Sequence, residues 1–284
     1  MVRILIFLLL TGALQTYAAS FDDYLEDVRA RAVAEGVSEE TVDQVLLGLT
    51  VDERVIRFDR RQPEFVQTFE EYLDARVTDF RQEEGRRLLR QHARLLQTIA
   101  DEYGVGAEYI VAFWGLETSF GRYQGKYSII RSLATLGYDQ RRSAFFTREL
   151  IFALKILDEK HISPEQFVGA WAGAMGQGQF MPSSFLRYAQ DHDGDGRKDI
   201  WNSEADVFAS IANYLREAGW KRGRGWGSRV ELVEQDWSEI KPDSWDTTCR
   251  ALRYHTRKMK PKAWADLGIS SKSLNHDELY SLIL

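Results

Sequence analysis

A single carboxylate, Glu117, stands in an aromatic stretch of the chain, FWGLETSFG at 113–121. At helical spacing Phe113, Trp114 and Phe120 lie three or four positions from Glu117, so the sequence predicts that the rings share its side of a helix. Aromatic neighbours exclude water from a carboxyl group, and loss of water disfavours its charged form. The pattern therefore predicts either a general acid that is protonated near neutral pH or a buried structural glutamate.

Cleavage of a glycosidic bond by acid–base catalysis generally uses two carboxylates. The next acidic residues along the chain, Asp139 and Glu149, lie in no comparable apolar run. A lone acid of this kind suggests a reaction whose nucleophile comes from somewhere other than a second protein carboxylate.

A glycine-rich segment, WAGAMGQGQFMPSS at 171–184, collects several amide and hydroxyl side chains. Its glycines match neither a dinucleotide-binding nor a phosphate-binding loop, and no strand pattern precedes them. Small residues at this spacing are typical of a tight turn between helices. The polar side chains also suit the binding of sugar hydroxyls; they are Gln177, Gln179, Ser183 and Ser184.

The segment DHDGDGRKDIWN at 191–202 has the spacing of an EF-hand-like calcium loop, in which alternate oxygen ligands precede a turn glycine. The matching positions are Asp191, Asp193, Asp195, Gly196, the carbonyl of Arg197, and Asp199. Asn202 replaces the usual bidentate glutamate, so we expect weaker binding or completion of the site by another group. The spacing predicts one structural Ca²⁺ site, against the alternative of an acidic surface turn.

Two adjacent arginines, Arg141 and Arg142, follow the segment SLATLGYD. Paired arginines usually serve solubility at the surface, whereas their planar guanidinium groups also suit the carboxylates of a ligand. These residues alone leave both interpretations open.

Most of the chain before Trp220 has the periodicity of amphipathic helices. The predicted helices are one from Phe21 that stops at Gly36, one capped by Ser38, two or three within 64–103, and helices at 108–120, 143–158 and 204–220. Before Trp220 there is no alternating strand pattern; after it, 229–237 is the best strand candidate. We predict a mainly α fold, with a core domain at 19–222 and a small or incomplete appendage at 223–284.

The 284 residues include 44% hydrophobic residues and carry a net charge of −6, which favours a globular protein and gives no support to nucleic-acid binding. Arg3, an apolar run and small residues before Ser20 predict a cleavable secretory signal at 1–18, the alternative being a buried first helix. Cys249 is the only cysteine, so no intrachain disulfide forms and no lipid-attachment cysteine follows the signal. We expect an exported protein that is not lipid-anchored.

Taken together, these motifs resemble the lytic murein transglycosylase B family, lysozyme-like enzymes that cleave the glycan of bacterial cell walls. The resemblance runs from FVQTFEEYL, which begins at 65, to YLREAGW, which ends at 220. Between them stand WGLETSFG, SLATLGYD, RRSAFF, WAGAMGQGQFMPSS, the 191–202 loop and ANYL, in the family's order. The resemblance implies a lysozyme-like helical catalytic domain, peptidoglycan strands as the partner, a periplasmic monomer, and no organic cofactor.

The resemblance also implies that Glu117 is the single catalytic acid and base. It would protonate the glycosidic oxygen between N-acetylmuramic acid and N-acetylglucosamine, and then take the proton of the muramoyl C6 hydroxyl as that oxygen closes on C1. The positions that match glycan contacts are Gln179, Tyr214 and Tyr72, and those that match a pair near the peptide stems are Arg141 and Arg142. The implied calcium ligands are Asp191, Asp193, Asp195, the Arg197 carbonyl and Asn202.

Three departures from the family pattern bear on activity. Ala170 stands where members often have a serine near the acid, no cysteine follows the signal, and the chain ends at LYSLIL before a tyrosine–asparagine motif that helps to line the cleft. The predicted function is a lytic transglycosylase that forms 1,6-anhydromuramoyl ends. The alternatives are a hydrolysing muramidase and a calcium-stabilised peptidoglycan-binding protein without turnover.

Overall fold

The computed structural model describes residues 20–61, 69–139, 141–223 and 258–269, and the single residues 227, 230, 256 and 280. The chain divides into two compact units, Met1–Arg222 and Gly223–Leu284. The described residues of the first unit are mostly helical, which confirms the predicted mainly α fold. The predicted signal at 1–18 and all of the strand candidate except Val230 lie outside the described residues.

The described part of the first unit contains the following helices. They are α1 (Phe21–Ala34), α2 (Glu39–Leu46), α3 (Glu53–Arg60), α4 (Phe69–Arg76), α5 (Asp79–Gln91), α6 (Ala93–Tyr103), α7 (Ala107–Thr118), α8 (Ile129–Tyr138), α9 (Ser143–Asp158), α10 (Pro182–Tyr188) and α11 (Glu204–Glu217), with a 3-10 turn at Pro164–Gln166.

Local sequence signals account for the start of α1. The side chain of Ser20 accepts a hydrogen bond from the Asp23 backbone, and the Asp23 carboxylate accepts one from the Ser20 backbone N–H at 2.9 Å, which completes a capping box. The helix buries Leu25, Val28 and Ala32. Ser38 caps α2 through the backbone N–H of Thr41, as its sequence position predicted.

The core centres on α8 and α9, which pack against each other. α8 is buried along its length, and α9 contributes the fully buried residues Leu150, Ala153, Leu154 and Ile156. Each buried leucine or isoleucine contributes about 1.5–3 kcal/mol relative to an exposed side chain. α10 packs against α9, and α11 packs against α10, α6 and α7. α5, α6 and α7 also pack against one another.

A two-stranded antiparallel sheet joins distant parts of the chain. β1 (Tyr127–Ser128) pairs with β2 (Val168–Gly169), with Tyr127 opposite Gly169. The sequence did not predict these strands, because two residues are too few to show alternation. Gly125 precedes β1 with φ of 96°, and a methyl group there would lie 2.1 Å from the Gly169 backbone, so only glycine fits. The sheet fixes the start of the glycine-rich segment 171–184 beside the residues that follow α7.

The second unit is described over a short range. Helix α12 (Pro261–Asp266) begins with a proline in its first turn, and Trp264 donates from its indole nitrogen to the Tyr280 carbonyl at 2.9 Å. Within the described parts of both units, no helix has the length and apolar character needed to cross a bilayer.

Candidate active site

Helix α7 carries Glu117 in its last turn and ends at Thr118, two residues earlier than predicted. Ser119 and Phe120 adopt left-handed backbone conformations with φ of 52° and 62°, which ends the helix. The Phe120 ring then folds back over Gly115, where a methyl group would lie 2.6 Å from it. Because non-glycine residues rarely adopt positive φ, no simple signal in the sequence marks this end.

The surroundings of Glu117 differ from those predicted by helical spacing. Trp114 is buried and turns into the core, and Phe120 lies beyond the end of α7. Phe113 remains on the Glu117 side of the helix, one turn earlier, and is half-buried. Glu117 itself is exposed at the surface, which contradicts the alternative of a buried structural glutamate.

Glu117 nevertheless has the electrostatics of a proton donor. Desolvation by the surrounding protein raises the pKa of its carboxyl group above the ordinary 4.5, and the Arg76 guanidinium at the end of α4 lowers it by a smaller effect. The side chain is therefore protonated at higher pH than a free glutamate, while its exposure leaves it within reach of a ligand. Both properties are what a general acid needs.

Gln177 connects the end of α7 to the glycine-rich segment. Its buried side chain accepts a hydrogen bond from the Trp114 indole at 2.7 Å and donates one to the Trp201 carbonyl at 2.9 Å. Its backbone carbonyl accepts a hydrogen bond from the Thr118 hydroxyl at 2.8 Å. The amide is thus buried and bonded through both its oxygen and its nitrogen within the core, which contradicts the prediction that Gln177 binds sugar hydroxyls.

Gln179 is the glutamine of this segment that remains available to a ligand. Its backbone adopts φ of 48°, and its Nε2 donates to the carbonyls of Gly176 at 2.9 Å and Gln124 at 3.2 Å. Among the described residues none donates to its Oε1. The two donated bonds fix the amide plane, which leaves the oxygen free to accept from a hydroxyl group.

Ser183, by contrast, is used to hold α10 in place. Its backbone N–H and its hydroxyl both donate to the carboxylate of Glu149, at 2.9 and 2.6 Å. Glu149 is buried on α9, so this pair links α9 to the first turn of α10. The predicted role of Ser183 in sugar binding is therefore replaced by a structural one.

Tyr214 of α11 lies within a cluster of rings beside Glu117 and Gln179. Its ring centroid is 5.9 Å from that of Phe113, 5.7 Å from Phe180 and 5.2 Å from Tyr188. Phe113 is one helical turn before Glu117, and Phe180 follows Gln179 directly. The cluster therefore brings together three residues that the sequence had placed in the site.

Tyr72 is exposed on α4, and the guanidinium of Arg76 lies 5.4 Å from its ring centroid. The same guanidinium lowers the pKa of Glu117. The guanidinium of Arg76 therefore lies near both the Tyr72 ring and the Glu117 carboxyl group.

Arg141 and Arg142 do not simply project into solvent. Both bind the carboxylate of Asp59, which lies in the last turn of α3 and is buried. Each arginine side chain remains about half-exposed. The pair therefore has a fixed position and still presents guanidinium surface to solvent.

The two other carboxylates considered from the sequence are both engaged. Asp139 accepts hydrogen bonds from Arg60 at 3.3 Å and from the backbone of Arg141 at 3.2 Å. Glu149 accepts both of its bonds from Ser183. Neither side chain is left as a second catalytic carboxylate beside Glu117.

The 191–202 loop gathers carboxylates in a way that suits a hard cation. Oxygen atoms of Asp191, Asp193 and Asp206 all lie within 4.8 Å of one another. Asp206 is fully buried in the first turn of α11, and desolvation raises the pKa of its carboxyl group. Two carboxylates on a glycine-containing loop converge with a third on α11, and carboxylate oxygens are the donors that Ca²⁺ prefers, so these residues fit the predicted ion.

Asp206 was missed from the sequence because it lies four residues beyond the loop that defines the motif. Its carboxylate also accepts hydrogen bonds from the backbone of His192 at 2.8 Å and of Asp199 at 2.7 Å, which closes the loop onto α11. Asn202 meanwhile donates from its amide to Asp199. A usable signal was present, since Ser203 and Asp206 have the spacing of a helix cap.

Comparison with known proteins gives a family and several relatives. The model of the transglycosylase SLT domain family matches residues 20–282. The membrane-bound lytic murein transglycosylase B of Escherichia coli (strain K12) is 43% identical over 122 residues, which are 43% of this chain and 34% of that protein. The match thus spans about a third of that relative's length.

Solved structures agree over more of the chain. SltB3 from Pseudomonas aeruginosa in complex with NAG-anhNAM-pentapeptide has a TM-score of 0.81 and 37% identity, covering 93% of this chain and 69% of that one. The Escherichia coli lytic transglycosylase Slt35 in complex with calcium has a TM-score of 0.75 and 26% identity, covering 92% and 79%. The family predicted from the motifs and its lysozyme-like helical fold are thereby confirmed. Because the family model matches nearly all of the sequence, the chain belongs to the transglycosylase SLT domain family.

Proposed function

We propose that this protein is a lytic transglycosylase that cleaves the β-1,4 bond between N-acetylmuramic acid and N-acetylglucosamine in peptidoglycan, leaving 1,6-anhydromuramoyl ends during remodelling of the cell wall. The observation that carries the proposal is Glu117, an exposed acid whose pKa is raised by desolvation. Phe113, one turn before it, contacts Tyr214, which in turn contacts Phe180 next to Gln179. Family membership supports it, as does the anhydro sugar in the SltB3 complex.

In the proposed reaction Glu117 first gives its proton to the glycosidic oxygen, and the bond from that oxygen to C1 breaks. The resulting carboxylate then takes the proton of the muramoyl C6 hydroxyl while O6 forms a bond to C1. One proton leaves Glu117 and one returns, so the acid is regenerated. The nucleophile belongs to the same sugar as C1, which is the arrangement in which proximity contributes most to rate.

The hydrogen bonds of Asp139 and Glu149, the two other carboxylates considered above, support this route over hydrolysis. A hydrolysing enzyme needs a second carboxylate to activate water or to attack C1. Asp139 is paired with Arg60, and Glu149 is buried against Ser183. An intramolecular hydroxyl requires neither of them.

The other proposed contacts with peptidoglycan use polar side chains that remain at least partly exposed. Gln179 accepts from a sugar hydroxyl through Oε1, and the hydroxyl groups of Tyr214 and Tyr72 contact the glycan. Arg141 and Arg142 bind a carboxylate of the peptide stem. These positions all lie in the proposed catalytic domain at 19–222, with 223–284 as a smaller unit appended to it.

We also propose one structural Ca²⁺ in the 191–202 loop. Slt35 is known in complex with calcium, and the convergence of Asp191, Asp193 and Asp206 supports a site here. The ligands proposed by resemblance are completed by Asp195, the Arg197 carbonyl and Asn202. When bound, the ion would fix the loop before α11, and no step of the reaction uses it.

The proposed place of action is the periplasm, where peptidoglycan lies, after export directed by residues 1–18, and the proposed form is a monomer. Fractionation of cells that express the full chain would test the location, and light scattering of the purified protein would test the assembly state. Recovery in the cytoplasm would contradict export.

The decisive experiment is mass spectrometry of the products that the protein releases from purified peptidoglycan. We expect muropeptides that end in 1,6-anhydromuramic acid, and we expect Glu117→Gln to release none while it still binds the glycan. Glu108→Gln, an exposed glutamate at the start of the same helix, is the matched control and should release products normally. Reducing ends would mean that water is the nucleophile, and binding without release would leave a binding protein.

A further inference from the structure

The buried carboxylate of Asp59 lies between two arginines and outside the reaction described above. Its Oδ2 accepts from Nε of Arg141 at 2.7 Å, and its Oδ1 accepts from Nη2 of Arg141 at 2.7 Å and from Nη2 of Arg142. Nη2 of Arg141 also donates to the Asp59 backbone carbonyl at 2.9 Å. The Asp59 side chain is 4% exposed, so two surface arginines are anchored on one acid in the interior.

The charges in this cluster do not cancel. Asp59 faces two guanidinium groups, and Asp139, the other acid beside them, is already paired with Arg60. One positive charge is left over among Asp59, Asp139 and the three arginines. The surplus favours an anion at the exposed side of the cluster.

The donors of the two arginines are divided between the interior and the solvent. Among the described residues, no group accepts from Nη1 of Arg141 or from Nε and Nη1 of Arg142. The guanidinium of Arg142 lies over the Phe146 ring at 4.8 Å from its centroid, which fixes its plane. The side chains of Arg141 and Arg142 are 50% and 40% exposed, so the unused N–H groups are open to a planar anion.

We propose that Asp59 is a positioning residue that holds Arg141 and Arg142 as a fork for the carboxylate of a peptide stem on the glycan strand. The proposal rests on the proposed function for the nature of the ligand. Without the charge of Asp59, the two guanidinium groups repel each other and lose the bonds that fix their direction. The fork then opens, and the outward N–H groups no longer meet one carboxylate together.

The test measures binding in a Glu117→Gln background, where no turnover occurs. Isothermal titration calorimetry would use soluble glycan chains of the GlcNAc–MurNAc repeat that bear pentapeptide stems, and the same chains stripped of peptide. Addition of Asp59→Asn should weaken binding of the stem-bearing chains about tenfold, the factor for one charge-assisted hydrogen bond, and should leave binding of the stripped chains unchanged.

Asp52→Asn is the matched control. Asp52 lies at the other end of α3, its side chain is 8% exposed, and it is paired with one arginine, Arg54, at 2.7 Å. Asparagine retains its capping role. This variant should bind both kinds of chain as its parent does.

A second substitution separates positioning from folding. Asp59→Glu keeps the charge but moves it by one methylene group, so we expect a smaller loss that is again confined to stem-bearing chains. Equal weakening with both kinds of chain by either variant would mean that Asp59 only stabilises the fold, and would overturn the proposal. Unchanged binding of both chains would overturn it as well.

Failure of this proposal and failure of the proposed function are distinguishable. If the unsubstituted protein released no anhydro products from peptidoglycan, the proposed activity would fail. A selective loss of stem-bearing chains in the Asp59→Asn variant would still support the fork, because the binding readout needs no cleavage.

Discussion

The indole nitrogen of Trp114 lies 2.7 Å from Oε1 of Gln177 and donates a hydrogen bond to it. Trp114 is three residues before Glu117 on α7, and Gln177 is two residues before Gln179 in the glycine-rich segment. The bond therefore sets the distance between the proposed acid and the proposed sugar-binding amide from inside the core. Neither of the two bonded residues needs to touch a ligand to affect the site.

Replacing Gln177 with methionine should lower the free energy of unfolding by about 2–4 kcal/mol, because the Trp114 N–H and the Trp201 carbonyl lose their partners in the interior. Urea denaturation followed by circular dichroism measures this. Gln166→Met, at an exposed position, is the control and should change stability little. Equal stability of the two variants would contradict a central role for the amide.

Replacing Arg76 with glutamine should shift the pH dependence of activity to higher pH. The positive charge of Arg76 lowers the pKa of Glu117, so its removal raises that pKa further. The active form is the protonated acid, which is lost as pH rises through this pKa; without Arg76 it persists to higher pH. The alkaline limb of kcat/KM, which reports the free enzyme, should move upward.

Arg86→Gln is the control for this shift. Arg86 is exposed on α5, one of the helices that pack beside α7, and it is not among the groups that shift the pKa of Glu117. Its profile should coincide with that of the unsubstituted protein. If the alkaline limb of the Arg76→Gln variant stays in place or moves to lower pH, then either Glu117 is not the acid or Arg76 does not lower its pKa.

Calcium should raise the melting temperature of the protein, and chelation should reverse the increase. An ion that binds only the folded state adds about 2.7 kcal/mol at a hundredfold excess over its dissociation constant. Asp193→Ala and Asp206→Asn should abolish this difference, since each removes one of the converging carboxylates. Calorimetry with calcium and with a chelator checks it, and Glu204→Gln, an exposed position on α11, should retain the full effect. A calcium-dependent increase that persists in Asp206→Asn would exclude that carboxylate from the site.

Replacing Gly125 with alanine should destabilise the protein by about 3 kcal/mol or more, since the new methyl group needs both a positive φ and the space held by the Gly169 backbone. Gly48→Ala is a matched control, because its φ of 73° has the same sign and no atom lies within 4 Å of the added methyl. The difference between the two variants, measured by thermal unfolding, isolates the steric part. A difference near zero would mean that β1 and β2 separate easily.

The sequence predicted those parts of the fold that depend on local pattern. α9 covers 143–158 as expected, and Ser38 caps α2 as predicted, because apolar spacing and capping residues act within a few positions. The two short strands were not predictable in this way, since their pairing joins residues about forty positions apart. The early end of α7 was missed because it depends on Phe120 packing over Gly115.

The site residues divide in the same way, into those that a local pattern identified and those that depend on distant contacts. Residue type and neighbourhood drew attention to Glu117, and the loop spacing to Asp191 and Asp193. The sequence did not predict which glutamine of the segment is buried. Gln177 bonds to Trp114 in the core, while Gln179 bonds to backbone carbonyls nearer the surface. Asp59 was missed for a related reason, since its arginine partners lie some eighty positions away along the chain.

The single amide of Gln177 has a consequence for how sequences of this family vary. It accepts from one tryptophan side chain and donates to the backbone of another, so it satisfies two polar groups in the interior. Substitution of Trp114 by a residue without an N–H leaves Oε1 unpaired unless position 177 changes in the same lineage. Across an alignment, positions 114 and 177 should therefore change together, and they should be nearly as invariant as the acid that they hold in place.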